Sequence, residues 1–408
     1  MKQKFIDNEY IIVDFEEIAD IYIVNTCTVT NMADKKSRQI LRRAKQINPN
    51  SILVIVGCYV QVGKKELEQI DEIDLVLGNN EKNDIVEYVK KYKEKQVIVS
   101  DINKQKEYKD FGKTTYTEKV RAFIKIQDGC NNFCSYCIIP YARGRVRSRK
   151  IENIVNEIKD IAQKGIKEIV ITGIHIASYG IDFKEEIGLI DLLKEINNIK
   201  GIERIRLGSL EPKLITQRFV EDLRKIEKIC NQFHMSLQSG CDETLKRMNR
   251  KYTTQDFEKG VQILKKAYPD LLLTADIIVG FPGETEKEFD TTYEFLKKIG
   301  FYKIHTFKYS KRKGTVAEKM PNQITNKIQE ERSKKIIELS NEMQNGYNNN
   351  YIGKKVQVLF EEKEGEYYKG HTTNYMMIQV KSKENLENKI ETVNIDTIEK
   401  DKIIGSIS

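Results

Sequence analysis

A chain of 408 residues that is 39% hydrophobic and 32% charged is long enough for two or three domains with their own cores, and its composition is not that of a disordered or fibrous chain. The formal net charge of +8 is modest for this length and carries no information about fold. No apolar run approaches the roughly 20 residues that span a bilayer, and the start, Met1 to Tyr10, has no apolar signal core, so a cytoplasmic location is expected.

In chain order, the first zone alternates strand and helix. A short strand over Asp20–Asn25 leads to Cys27, a helical stretch runs from about Asp34 to Gln46, and a second strand, Ser51–Val56, ends at Gly57-Cys58. Another helical stretch, an apolar segment Ile73–Leu77 and a helix near Asn83–Tyr92 complete a small parallel α/β domain over residues 1–94. The charged stretch 95–118 lacks periodicity and reads as a linker.

The second zone, 119–340, repeats strand then helix. Candidate strands are Ala122–Gln127, Glu168–Gly173, Arg204–Gly208, Phe233–Leu237, Leu271–Val279 and Tyr302–Phe307, with amphipathic helices such as Ile151–Gln163 and Phe257–Lys266 between them. Six such units predict a partial (β/α)6 barrel, in which chemistry gathers at the C-terminal ends of the strands. A long charged helix, Asn326–Gln344, leads into the third zone, 341–408. There Lys355–Phe360 and Tyr375–Val380 carry a β pattern, with weaker segments near Tyr367 and the C-terminus. Short strands of this kind predict a small all-β module, an architecture used both for nucleic-acid binding and as a plain appendage.

Seven cysteines stand at 27, 58, 130, 134, 137, 230 and 241, an odd number that argues for metal or catalytic roles over a disulfide framework. Three of them form C-x3-C-x2-C in the run Asp128-Gly-Cys130-Asn-Asn-Phe-Cys134-Ser-Tyr-Cys137, a spacing expected by chance about 0.002 times in a chain of this composition. Soft thiolates this close can wrap one iron–sulfur cluster in a single loop. Three ligands for a four-iron cube leave one iron open, the mark of a catalytic centre. A zinc site completed by Cys241 or a histidine is the alternative. Cys230 and Cys241 otherwise read as ordinary partly buried cysteines.

Other residues at successive strand ends read as a cofactor cradle: Thr172 and Gly173, Ser209 and Glu211, Gln238, then Gly280 and Glu284. Glycine lets backbone approach a ligand, and Glu211 or Gln238 could bind a ribose or an amino group. Singly, each is also a normal strand-to-helix turn. Between Arg121 and Lys150 seven basic residues face one acid, Asp128, a cluster suited to a polyanion, with a solvated loop as the plain alternative.

The cysteine triplet resembles that of the radical S-adenosylmethionine superfamily, and the partial barrel is that superfamily's fold. The resemblance implies a 4Fe-4S cluster at Cys130, Cys134 and Cys137, with S-adenosylmethionine on the open iron and cleaved to a 5′-deoxyadenosyl radical. Asn25-Thr26-Cys27-Thr28-Val29-Thr30, Val56-Gly57-Cys58, the run from Cys137 through Pro140, Arg143, Arg145 and Arg147 to Arg149, and Gly283-Glu284 are similar to the methylthiotransferase family. The likeness covers nearly the whole chain, and the last module resembles the family's RNA-binding TRAM domain. Thr172 to Gly180 and Phe233 to Asp242 resemble the MtaB-type branch, which methylthiolates carbon 2 of N6-threonylcarbamoyladenosine beside the anticodon.

That resemblance implies tRNA as substrate, with Arg143, Arg145, Arg147 and Arg149 on phosphates. It also implies a flavodoxin- or ferredoxin-type electron donor, a monomer, and a second 4Fe-4S cluster at Cys27 and Cys58. The family supplies three N-terminal cysteines and this chain has two, so its first strand and that cysteine are expected to lie upstream of Met1. The second cluster is then expected to be weakly held or absent, and the chain less soluble than an extended one. Other readings are a methylthiotransferase for isopentenyl-adenosine in tRNA or for a ribosomal-protein aspartate, and an iron–sulfur RNA-binding protein inactive in sulfur insertion.

Overall fold

The computed structural model describes residues 1–110, 112, 120–399 and 402–408, so 111 and 113–118 of the expected linker lie outside the described residues. Two compact units are formed, one from Met1–Tyr116, Asp128–Arg149 and Ser310–Lys319, the other from Thr117–Gln127, Lys150–Tyr309 and Met320–Ser408.

The first unit begins with α1 (Lys2–Ile6), β1 (Ile21–Thr26), α2 (Asn31–Ile47), β2 (Ile52–Gly57), α3 (Cys58–Leu67), β3 (Leu75–Leu77), α4 (Ile85–Lys90) and β4 (Gln96–Ile98). The strands pair in parallel in the order β1-β2-β3-β4. A run such as Leu53-Val-Ile-Val56 is fully buried because both faces of a parallel sheet are covered. Leu53 and Ile55 pack with Tyr22, Leu41 and Tyr59, while Val54 and Val56 pack with Phe5, Leu77 and Ile85. The Thr30 hydroxyl accepts from the Ala33 N–H and starts α2. β4 corrects the linker reading: Gln96–Ile98 is hydrogen-bonded to β3 as the fourth strand.

The second unit opens with β5 (Arg121–Asp128). The segment that follows, carrying α5 (Ile139–Arg143) and β6 (Arg147–Ser148), belongs to the first unit. The second resumes with α6 (Ile151–Gln163), β7 (Glu168–Gly173), α7 (Leu189–Asn197), β8 (Arg204–Leu207), α8 (Gln217–Arg224), β9 (Gln232–Gln238), α9 (Asp242–Arg247), α10 (Thr254–Ala267), β10 (Leu272–Val279), α11 (Glu286–Ile299), β11 (Lys303–Lys308) and α12 (Asn326–Asn349). Thr253 with Asp256, and Thr285 with Glu288, form capping boxes that start α10 and α11.

β5, β7 and β8 pair in parallel, as do β9, β10 and β11, and bridges at Ile205–Ile229 and Leu210–Met235 connect β8 to the β9 side. This is the expected open, six-stranded partial barrel. Strand side chains alternate between its faces. Ile124, Ile171, Ile205, Met235, Ala275 and Ile304 lie in the core under the helices, which assigns Lys125, Thr172, Arg206, His234, Asp276 and His305 to the opposite, helix-free face.

The chain ends in five strands, β12 (Lys355–Glu364), β13 (Tyr367–Thr372), β14 (Met377–Lys381), β15 (Ile390–Glu399) and β16 (Lys402–Ile407), closed in the order β12-β13-β14-β16-β15 around Val358, Phe360, Tyr368, Ile378 and Val393. Closure removes the open edges a five-stranded sheet would expose. The module is fastened to the N-terminal ends of the partial barrel's strands by three arginines. Arg204 donates to the carbonyls of His371 and Gln357, and Arg206 to those of Thr372 and Thr373. Arg121 donates to Glu361 and to the Tyr375 hydroxyl. The fully buried Glu168 accepts from Arg121 at 2.5 Å and Arg206 at 2.8 Å. No helix among the described residues is long and apolar enough to cross a membrane.

Candidate active site

All five cysteines of interest lie in the first unit. Cys27 directly follows β1 and is exposed; Cys58 opens α3 and is buried. Cys130, Cys134 and Cys137 occupy one loop, half-exposed, with no disulfide among the described residues. The Cys137 N–H donates to the Cys134 carbonyl and the Cys130 N–H to the Gly144 carbonyl, which folds the loop back on the segment after it. Phe133, inside the loop, takes a left-handed φ of 49°, and Arg145 lies over its ring at 4.6 Å.

Cys58 and Cys130 each directly follow an obligatory glycine. Gly57 has φ 118°, and a Cβ there would stand 2.4 Å from the Thr26 carbonyl oxygen. Gly129 has φ 74°, and a Cβ there would stand 1.8 Å from the Arg145 carbonyl oxygen. Any side chain at either position would move the cysteine beside it.

The two sets are tied together within this unit. Arg143 Nε donates to Cys58 Sγ at 3.0 Å, and its Nη1 lies 3.3 Å from Asp128. Asn79 reaches the Ala142 carbonyl at 2.7 Å and lies 3.8 Å from Cys58 Sγ. Burial would lower the Arg143 pKa, but Asp128 and Cys58 outweigh it, so the guanidinium stays charged. Arg312, which sequence reasoning missed because it lies some 280 residues away, holds Thr28 at 2.5 Å and Asp34 at 2.7 Å, securing the turn after Cys27.

The expected phosphate-binding arginines are corrected here. Arg147 is 4% exposed, and donates to the Arg143 and Arg145 carbonyls beside Asp128; Arg149 is 6% exposed and paired with Asp110 at 2.5 Å. Arg143 faces Cys58. Only Arg145 of the four is exposed.

In the second unit, the strand ends bring together a cluster that was only partly foreseen. Glu211 accepts from His175 at 3.2 Å and from Arg250 at 3.0 Å, and Arg250 also donates to the Ser236 carbonyl. Burial pushes the Glu211 carboxyl up, but His175 and Arg250 outweigh it and hold the group below the ordinary glutamate range. Gln127 Oε1 accepts the His175 N–H and lies beside Gly173. Thr172 and Gln238 are half-exposed at the ends of β7 and β9, and Ser209 is exposed; Gln238 has a left-handed φ of 70°.

Gly280 and Glu284 depart from the expected cradle. Glu284 is 2% exposed and accepts from the Gly280 N–H at 2.6 Å and from Arg332 at 2.7 Å, while the Gly280 carbonyl receives Gln329. The pair anchors α12, and burial raises the Glu284 carboxyl. Cys230 and Cys241 are buried, as expected of packing cysteines.

The Radical SAM superfamily model matches residues 124–296, and the model described as Uncharacterized protein family UPF0004 matches residues 1–78. A radical S-adenosylmethionine methyltransferase, TsrM, from Kitasatospora setae, solved with tryptophan and an S-adenosylmethionine analogue, shares the fold with TM-score 0.55 at 16% identity over 74% of this chain and 64% of that one. The chain is 42% identical to the threonylcarbamoyladenosine tRNA methylthiotransferase MtaB of Bacillus subtilis over 94% of this chain and 86% of that protein. It is 40% identical to the tRNA-2-methylthio-N(6)-dimethylallyladenosine synthase of Clostridium novyi, over 85% and 78%.

Partial barrel and cysteine loop together define a radical S-adenosylmethionine enzyme. The chain belongs to the methylthiotransferase family of that class. The family implies a 4Fe-4S cluster and S-adenosylmethionine. Among the described residues no three side chains of His, Cys, Asp or Glu stand ready-converged on a metal. The donor set nevertheless fits the cluster in chemistry: three half-exposed cysteines outside any disulfide on one loop, with its backbone pinned at Gly144.

Proposed function

We propose that this chain methylthiolates carbon 2 of N6-threonylcarbamoyladenosine beside the anticodon of tRNA. The observation that carries the reading is the Arg143–Cys58 contact, which gathers two cysteine sets into one compact unit, as chemistry needing two clusters requires. The name of the Bacillus subtilis relative supports the choice of base.

In this reading Cys130, Cys134 and Cys137 hold the radical-generating cluster, and Cys27 with Cys58 serve the second. When bound, cluster and S-adenosylmethionine supply a radical able to take hydrogen from a carbon that no side-chain base can deprotonate. The chain's own part is to bind and orient. Thr172, Gly173, Ser209, Glu211 and Gln238 line the cofactor side, with Glu211 fixed as a carboxylate by Arg250 and His175. Residues 1–94, 119–340 and 341–408 act as cluster domain, barrel and RNA-binding module, in a monomer reduced by a flavodoxin or ferredoxin.

Arg145 is the phosphate contact of the basic run. Arg145→Ala is expected to lower the slope of log affinity for tRNA against log salt by about 0.7–0.9. Arg149→Ala should leave that slope unchanged and lower the melting midpoint. Equal slopes in parent and Arg145→Ala would remove Arg145 from the interface. The reading as a whole is tested by nucleoside mass spectrometry of tRNA from cells with and without the gene. Loss of 2-methylthio-N6-threonylcarbamoyladenosine is the expected result; loss of the isopentenyl nucleoside instead would overturn the assignment.

A further inference from the structure

On the helix-free face of β9, β10 and β11 stands a polar cluster that neither the cysteine loop nor the Glu211 group uses. Phe233, Met235, Leu237, Leu273, Ala275, Ile277 and Ile304 fill the core under the helices, so the alternate residues His234, Thr274, Asp276, His305 and Phe307 share the other face. The strand register pairs Asp276 with His305 and Ile278 with Phe307.

His234 is held on both sides: Nδ1 lies 2.9 Å from Thr274 Oγ1, and Nε2 lies 3.2 Å from Asp276 Oδ2. The Thr274 hydroxyl can donate to Nδ1, which leaves the Nε2 proton for Asp276. The His305 ring stands 5.8 Å from that of His234, is exposed, and makes no hydrogen bond among the described residues. Phe307, two positions on, is 50% exposed. An apolar ring beside a half-buried carboxylate and an imidazole that makes no hydrogen bond among the described residues is the composition of a recognition site for a ligand with a π-face and a polar arm.

We propose that Asp276 and His305 read the polar N6 substituent of the adenine, with Phe307 against the base and His234 as the positioning residue that orients Asp276. This rests on the function proposed above. A threonylcarbamoyl chain offers a ureido N–H and a hydroxyl that donate to Asp276, and carbonyl and carboxylate oxygens that accept from His305. An isopentenyl chain offers none of these and would desolvate both side chains, leaving His305 unsatisfied and Asp276 with His234 alone, the arrangement by which hydrogen-bonding sites reject apolar analogues.

The test uses the anaerobically reconstituted enzyme and anticodon stem-loop RNAs carrying adenosine, N6-threonylcarbamoyladenosine or N6-isopentenyladenosine at the same position, with dissociation constants read by fluorescence anisotropy. The parent should bind the threonylcarbamoyl loop at least about tenfold more tightly than the unmodified one. His305→Ala and Asp276→Ala should bring that ratio close to one while leaving affinity for the unmodified loop unchanged, a pattern that misfolding cannot produce. A preserved ratio in both variants, or equal loss for both loops, overturns the subsite and leaves the function standing. A parent that favours the isopentenyl loop overturns the function and the subsite together.

Discussion

Anaerobic reconstitution of the Cys130→Ala variant with iron and sulfide should give a protein holding about four fewer iron atoms than the parent, one cube's worth. Formation of 5′-deoxyadenosine from S-adenosylmethionine should fall to background. Cys130 is the first donor of the loop, and its N–H fixes the loop to the Gly144 carbonyl, so the backbone remains while the donor goes. The parent's absolute count also reports on the second site. About one cube in the parent means that Cys27 and Cys58 do not hold a cluster in this chain; about two means that they do. Full iron in the variant would remove the triplet from the ligand set.

The largest expected loss of stability lies elsewhere, at Glu168. Its carboxylate is fully buried at the start of β7, and three guanidinium groups surround it. Glu168→Ala leaves those charges without their central partner, a change that typically costs about 3–5 kcal/mol. At about 2–4 °C per kcal/mol for a unit of this size, the midpoint should drop by about 6–20 °C. Burial pushes the Glu168 carboxyl up, but Arg206, Arg121 and Arg204 outweigh it and hold the folded-state pKa below the ordinary value. The contribution is therefore complete above the unfolded glutamate value, about 4.3, and disappears as pH falls below it toward the depressed value. Glu168→Gln should lack this acid-sensitive component. An unchanged melting curve for Glu168→Ala would show that the arginines find water or other partners without cost.

Much of this architecture was legible because its signals are local. Glu168–Gly173 and Ile151–Gln163 were read to their observed ends, since a short β-branched run and a helical apolar stripe each advertise one period. β4 was missed because three residues cannot display a period within a charged stretch. The arginines at 147 and 149 misled for a different reason. A count of charge along the chain cannot reveal that Asp128 and Asp110 stand next to them in space. Glu284 looked like a ligand residue by its place after a strand, yet its partner, Arg332, is on a distant helix. His175, Arg250, Asp276 and His305 are single residues on separate strands and turns, and only the folded register brings them into groups.

The way the final β module is fastened has a bearing on how such chains diversify. Arg204 and Arg206 grip it through main-chain oxygens at Gln357, His371, Thr372 and Thr373, atoms every residue type provides. The side chains at Gln357 and Thr373 are therefore free to vary without loosening the join. Glu361 and Tyr375, by contrast, hold Arg121 through their side chains, so the join tolerates exchange at the first two positions and is specific at these two.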